Sequence, residues 1–519
     1  MRYHTHYCTS GMGDLNQPSF VKRFNLVLAM RLLLCLCFAV VLLPWCHRCH
    51  AAERPNIVFI LSDDHRFDFM GCVESCPDFL TTPNLDRMAN EGAHFRNAFV
   101  TTSLCSPSRA SILTGRYMHH HRVVDNQRPI PVGTEFFPQH MQRGGYTTAF
   151  VGKWHMGHDD DAPRPGFDFW ASFPGQGVYS DPTLNINGRR ESFEGYTTDI
   201  LTDVALDWLE QDRSEDNPFL LYLSYKAVHY PFQPSPRHAQ RYQDQAIDYP
   251  ETMANTQRNY QTQPRWVLDR RYSIHGIDHM ETGAFDKDPV PDFDQLFHNY
   301  CETVHGLDEN IGRVLKALED AGAMDNTIVI YMGDNGFHLG EHGFYDKRDA
   351  FETSIRVPML ALAPGRIPAG TKIDQLVQNI DIAPTVLDVC GIERTEEMKF
   401  DGRSMQPLWQ PRGESAPSWR DHILYEYHWE WNFPATPTTL AIRTDRYKYV
   451  YYHGVWDRDS FYDLQTDPVE RHNLIDVPAY QEQIESLRNQ LFTELAESGG
   501  LNLPIRTPAG ERLDQRKRP

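Results

Sequence analysis

The sequence predicts an α/β protein built on a mainly parallel sheet, followed by a smaller α+β subdomain with an antiparallel sheet. Three observations lead there. Short, continuous apolar runs rich in β-branched residues recur along the first two thirds of the chain, as strands buried on both faces do. Amphipathic helical patterns separate them, as the crossovers of a doubly covered parallel sheet require. Near residue 398 the texture changes to aromatic strands followed by one amphipathic helix.

With 519 residues, 40% of them apolar and 23% charged, the chain can bury a large core. Its 70 acidic and 50 basic residues give a formal charge of −20, which argues against a general partner for nucleic acid or an anionic membrane. An anionic substrate would therefore need a local positive site.

The first segment, 1–51, reads as an export signal. Arg31 precedes the apolar run "LLLCLCFAVVLLPWC", and small residues near Ala51 suit cleavage. Met30 is an alternative start. The run is short for a bilayer span and ends at Pro44, so no stable membrane anchor is expected and the protein is assigned to the periplasm or the medium. Trp45 stands before Cys46 where a lipoprotein signal carries a small residue.

From residue 53 to 397 runs the main domain. Buried strands are expected at "PNIVFIL" (55–61), "TTAFV" (147–151), "FLLYLSY" (219–225) and "TIVIYM" (327–332). Helices are expected at 198–211 and at 300–320, where Val304, Leu307, Ile311, Val314 and Leu318 share a face. Another helix opens in "SLCSPSRASILTGRY" (103–117). There Ser106 can cap, Pro107 suits the first helical position, and Gly115 can close the helix on its left-handed side. Cys105 then lies at the positive end of a helix, in an anion site, although most free thiols are simply buried. Residues 234–296 are polar and poorly periodic, and read as a surface excursion of the kind that forms binding loops or lids.

The smaller subdomain is placed at 398–505. "HILYEY" and "YKYVYY" read as antiparallel strands, and Ile484, Leu487, Leu491 and Leu495 align on one helix face. Residues 506–519 form a polar tail. Five of the ten cysteines lie in the leader, leaving Cys72, Cys76, Cys105, Cys301 and Cys390, so at least one thiol stays unpaired. Cys72 and Cys76 are close enough in sequence to pair, but spacing does not fix geometry.

Each of the four buried strands runs directly into polar residues. Asp63 and Asp64 follow the first, Lys153 and His155 the second, His229 the third, Asp334 and Asn335 the fourth. In a parallel sheet these ends share one rim, where ligands bind. Three carboxylates and an amide oxygen make a hard donor set suited to Ca²⁺ or Mg²⁺, and without a cation the carboxylates would raise one another's pKa. The histidine run at 118–122 is a poorer metal site, because adjacent side chains rarely converge on one ion.

"CSPSRASILTG" (105–115) resembles, position by position, the C-x-P-S-R-x-x-x-L-T-G signature of type I sulfatases. "NIVFILSDD", "GKWHMG", "VHYPF", "GDNG", "DKR" and "DLQTDPVERHNL" are similar to further landmarks of that family, over essentially the whole mature chain. The resemblance implies an alkaline-phosphatase-like α/β/α sandwich that hydrolyses sulfate esters. It implies that a separate maturation enzyme converts Cys105 to formylglycine. The hydrated aldehyde offers two geminal hydroxyls, one to attack sulfur and one to expel sulfate afterwards, where a serine would be left as a stable ester. Asp63, Asp64, Asp334 and Asn335, with residue 105, would bind one Ca²⁺. Arg109 and Lys153 would orient the hydrate, His155 would assist proton movement, and His229 and Lys347 would hold the sulfate and the leaving oxygen. Three aspartates, the cation and three basic residues leave such a site at about +2, suited to an anion.

The rival readings are a phosphodiesterase or phosphonate monoester hydrolase on the same fold, and a glycan-binding protein with a dead site. The full charged constellation argues against the latter. Segments 184–209 and 419–431 look most like N-acetylglucosamine-6-sulfatases, which implies an exo-acting enzyme on a sulfated carbohydrate, preferring a 6-O-sulfated hexosamine. Tyr425, Tyr427, Trp429 and Trp431 lie near the domain junction, where aromatic faces suit sugar rings, although core packing is their commoner use.

Overall fold

The computed structural model describes residues 54–157, 159–212, 217–278, 292–396, 398–409, 418–504, 506–510 and 512. The export segment expected at 1–51 lies outside them. Four strands form where the apolar runs placed them: β1 (Asn56–Ser62), β2 (Thr147–Lys153), β3 (Phe219–Ser224) and β4 (Thr327–Gly333). They pair in parallel in the order β4–β1–β3–β2, with Ile57 level with Leu220 and Ile328. Phe169–Phe173 continues the parallel ladder beyond β2, and antiparallel pairings, with one further parallel pair at the opposite edge (Ala93–Phe95 with Thr371–Ile373), complete a ten-stranded sheet.

Alternate residues of β1 feed different cores. Ile57, Phe59 and Leu61 join one apolar cluster, and Val58 and Ile60 join another on the opposite face. The first cluster includes Ala110, Ile112 and Leu113 of helix α1 (Cys105–Thr114). The second takes Ile200, Leu201 and Ala205 of α2 (Thr197–Asp207), with Val304, Leu307, Ile311, Val314 and Leu318 of α3 (Phe293–Asp320). The result is the alkaline-phosphatase-like α/β/α sandwich implied by the resemblance. Helix α2 passes at Trp208–Asp212 into a π-helical turn, whose Trp208 meets Phe219 edge-on. Helix α3 starts earlier than its apolar stripe suggests, because the Asp292 side chain accepts from Gln295 N–H at 2.8 Å and caps it.

The second sheet is antiparallel, in chain order β5 (His422–Tyr427), β6 (Thr438–Thr444), β7 (Tyr447–His453) and β8 (Ser460–Asp463). On one face Leu424, Leu440, Ile442, Tyr449 and Phe461 receive Ile484, Leu487, Leu491 and Leu495 of α4 (Gln481–Ser498). The other face sends Tyr425, Tyr427, Tyr452 and Tyr462 into the main core, so the first two of the singled-out aromatics are packing residues. Residues from 54 onward form one compact unit.

The polar stretch 234–296 is not a loose excursion. Trp266 and Val267 of the helix Arg265–Arg271 enter the main core, and the buried Arg270 pairs with Asp346 and Asp349. Its remaining part, 279–291, lies outside the described residues. Cys72, Cys76, Cys105, Cys301 and Cys390 are all free thiols. Among the described residues no helix is long and apolar enough to cross a membrane.

Candidate active site

Helix α1 is buried on every side, which explains why its sequence shows no polar face. It opens with Cys105 as its first residue, two positions earlier than a Ser106 cap would start it. Leu104 holds the cap position, and the Ser106 hydroxyl donates instead to the carbonyl of His155. Gly115 closes the helix at φ 65, where an added Cβ would meet Phe400 at 2.5 Å. Cys105 thus stands at the first position of the helix, beside a Ser106 N–H that Asn126 satisfies, and its thiol is held as a thiol. Burial and then the Asp63 charge push its pKa up to about 12.

The strand ends converge on it as the rim argument requires. Ligand oxygens of Asp63, Asp64 and Asp334 lie within 4.8 Å of one another, and Asp63 Oδ1 accepts from Cys105 Sγ at 3.6 Å. Asn335 Nδ2 donates to Asp64 Oδ1 at 2.7 Å, leaving Asn335 Oδ1 and Asp64 Oδ2 buried without hydrogen-bond partners. Asp64 and His155 both adopt left-handed backbone, φ 58 and φ 57, as residues at functional strand ends often do.

Cations interleave the carboxylates. Lys153 Nζ donates to Asp63 and to Gln176, and Lys347 Nζ donates to Asp64. Arg109 forks onto Asp334 through Nε at 3.0 Å and Nη2 at 2.9 Å, while Nη1 holds the Lys153 carbonyl at 2.8 Å and Ser224 Oγ at 2.6 Å. Burial opposes ionisation of Asp63, yet the charges of Lys153, Arg109 and Lys347 hold its carboxyl well below the usual range. Burial raises Asp64, and burial followed by Asp63 pushes Asp334 up to about 7. Burial and then Lys153 hold the imidazoles of His155 and His229 well below the ordinary histidine value, so both are neutral. His229 lies with Nε2 at 3.8 Å from Asp64 Oδ2 and donates from Nδ1 to the carbonyl of Tyr230 at 2.5 Å; His155 Nδ1 has no hydrogen-bond partner.

The other nine site residues expected from the sequence therefore meet around Cys105. The structure adds three. Asn126 Oδ1 accepts from Ser106 N–H at 3.0 Å, Gln176 receives Lys153, and Lys226 lies 4.7 Å over the Tyr179 ring. Burial and then Lys153 pull Lys226 down to about 7. Lys226 follows β3 on the same rim as His229 and was legible by that rule; Asn126 and Gln176 lie in loops with no motif. The histidine run splits: His119 pairs with Glu426, His120 with Asp401, and His121 with Ser111.

Three carboxylates and three basic side chains are thus buried together at the carboxyl ends of the parallel sheet, where α/β proteins bind their ligands. A sulfatase family model matches residues 55–392, and a model for the C-terminal region of N-sulphoglucosamine sulphohydrolase matches 340–497. The chain belongs to the sulfatase family and is a sulfuric ester hydrolase. It is 32% identical, over 85% of its length and 86% of the relative's, to N-acetylglucosamine-6-O-sulfatase of Bacteroides thetaiotaomicron. A protein solved in complex with its substrate D-glucosamine-2-N,6-O-disulfate superposes with a TM-score of 0.79 at 30% identity, over 87% of this chain and 99% of that one. The phosphonate monoester hydrolase of Agrobacterium radiobacter shares the fold at 22% identity and a TM-score of 0.70, over 86% and 96% of the two chains.

Proposed function

We propose that the protein is an exported, Ca²⁺-dependent carbohydrate sulfatase that removes 6-O-sulfate from a hexosamine at a chain end, using formylglycine made from Cys105. The observation that carries this reading is the meeting of three carboxylates and three basic side chains around the one cysteine of a complete sulfatase signature. The donors fit the ion, because the partnerless oxygens of Asp64 and Asn335 complete a hard, all-oxygen set with Asp63 and Asp334. Asp63, Asp64, Asp334 and Asn335 would hold Ca²⁺, and the ion and the hydrated aldehyde would supply charge neutralisation and an oxygen nucleophile. Arg109 and Lys153 both hold the Asp63 carboxylate that faces residue 105, and so would orient the hydrate there. Lys347 and His229 approach from the Asp64 side, placed to hold sulfate oxygens and the leaving oxygen. Neutral His155 can take a proton at its partnerless Nδ1.

The sugar and the position of sulfate rest on the relatives, whose names and bound substrate carry 6-O-sulfate on an amino sugar. A maturation enzyme is the implied protein partner, and the leader of residues 1–51 implies export to the periplasm or the medium. Sulfate release from 2-, 3-, 4- and 6-O-sulfated monosaccharides and oligosaccharides tests the assignment, with peptide mass spectrometry at residue 105. The expected result is release from 6-O-sulfated hexosamine and an aldehyde or its hydrate at 105. Activity confined to 2-O- or 4-O-sulfated sugars refutes the regiochemistry, and an unmodified thiol in fully active protein refutes the nucleophile.

A further inference from the structure

The turn after β5, residues 428–432, walls a cavity of about 310 Å³ that the reaction centre does not use. Its remaining walls come from the loop at Asp125 and Arg128, from Thr438 and His453 of the same sheet, and from the chain near Arg506. That volume is at the lower end of small-ligand sites, roughly 300–1,000 Å³, and has room for a single sugar ring.

The wall is unsatisfied in a particular way. His428 is 3% exposed, and neither of its ring nitrogens has a hydrogen-bond partner. Glu430 is 2% exposed; its Oε2 accepts from Arg348 Nε at 2.8 Å and from the Tyr427 hydroxyl at 3.0 Å, whereas Oε1 has no hydrogen-bond partner. Leaving such groups buried and unpaired is unfavourable, so a ligand that pairs them is favoured. Burial, and after it Arg506, pulls His428 down to about 3. The ring is therefore neutral and presents one donor and one acceptor, to which Glu430 adds an acceptor.

At the rim stands Trp429, 39% exposed. Its indole is fixed, with Nε1 donating to the Pro434 carbonyl at 3.2 Å and Trp431 edge-on at 6.3 Å. An aromatic face beside inward donors and acceptors complements a ring that carries hydroxyls around an apolar face. The formal charges of Asp125 and Glu430 cancel those of Arg128 and Arg506, and Arg506 Nη1 pairs with Asp125 Oδ2 at 2.6 Å. A neutral ring suits this wall better than a sulfated one.

Two covalent steps join the cavity to the reaction centre. Asp125 precedes Asn126, which holds the N–H of Ser106 beside Cys105. Glu430 binds Arg348, which follows Lys347 on Asp64. Resting on the carbohydrate-sulfatase reading above, we propose that this cavity is a second sugar site. It takes an unsulfated ring linked to the sulfated one, so the enzyme prefers oligosaccharides to the sulfated monosaccharide.

The test compares kcat/KM for 6-O-sulfated N-acetylglucosamine with that for a disaccharide carrying an unsulfated hexose on its reducing side. The disaccharide should be favoured by about tenfold or more, and Trp429→Ala and His428→Ala should bring the ratio towards one through KM, as loss of an anchoring contact does. Equal kcat/KM values in the wild type, or a ratio unmoved by both variants, overturn the proposal. Calorimetry with unsulfated N-acetyllactosamine provides an independent arm. Binding lost in Trp429→Ala supports the second site even if neither sulfated sugar is cleaved, an outcome that would sink only the carbohydrate-sulfatase reading. Absence of binding to the wild type overturns the site.

Discussion

Lys448 of β7 is fully buried between two carboxylates, at 2.9 Å from Glu352 and 2.8 Å from Glu470, and donates to the Ala350 carbonyl at 2.6 Å. Arg443 also holds Glu352, at 3.1 Å, so that carboxylate keeps a cation if Lys448 is lost, whereas Glu470 does not. Lys448→Met fills a similar volume and removes one buried charge. Breaking a buried ion pair costs about 3–5 kcal/mol. The cost depends on pH. Burial raises Glu470 to about 7, against the pull of Lys448. The native state therefore keeps a proton that the unfolded chain has released, and wild-type stability falls as pH rises from the ordinary carboxylate value towards 7. Without Lys448 the native pKa moves higher still, and the loss continues above pH 7. Urea unfolding of both proteins at pH 6 and pH 8 should show the variant weaker at both, with the larger gap at pH 8. A gap under about 1 kcal/mol at pH 8, or one that does not grow from pH 6, refutes the reasoning.

Exhaustive chelation should lower activity and melting temperature together, because an ion bound only by the native state stabilises by about 2.7 kcal/mol at a hundredfold excess over its Kd. A melting temperature indifferent to chelator in active protein would remove the metal site. Lys153→Ala withdraws one of the two cations paired with Asp63, leaving Arg109, and should lower kcat by about 10²–10³-fold. An effect on KM alone would make Lys153 a uniform binding residue.

The central strands were legible because both faces of β1, β3 and β4 are buried, so each reads as an unbroken apolar run. Their polar followers were legible because a parallel sheet brings its carboxyl ends to one rim. Strand β6, "TTLAIRT", passed unnoticed: three threonines and Arg443 break its apolar run, yet Arg443 is buried against Glu352. The stretch 259–277 was misread for a similar reason, since composition counts Arg270 as a surface residue and cannot show that Asp346 and Asp349 await it. The Ser106 cap failed because its hydroxyl had a distant carbonyl to meet. Pairings between residues so far apart in the chain leave no local trace.

The seam between the two sheets sets what evolution or an engineer can exchange. Tyr425 of β5 meets Ser103 at 2.7 Å, Glu426 receives His119, Glu430 holds Arg348, and Lys448 holds the Ala350 carbonyl. These are the residues just before the signature helix, just after it, and just beyond Lys347. A C-terminal sheet transplanted from a relative would arrive with its own partners for those positions. Chimeras joined near residue 398 should therefore lose turnover unless the matching residues at 103, 119, 348 and 350 travel with the sheet, so the chain is recombinable only in interlocking halves.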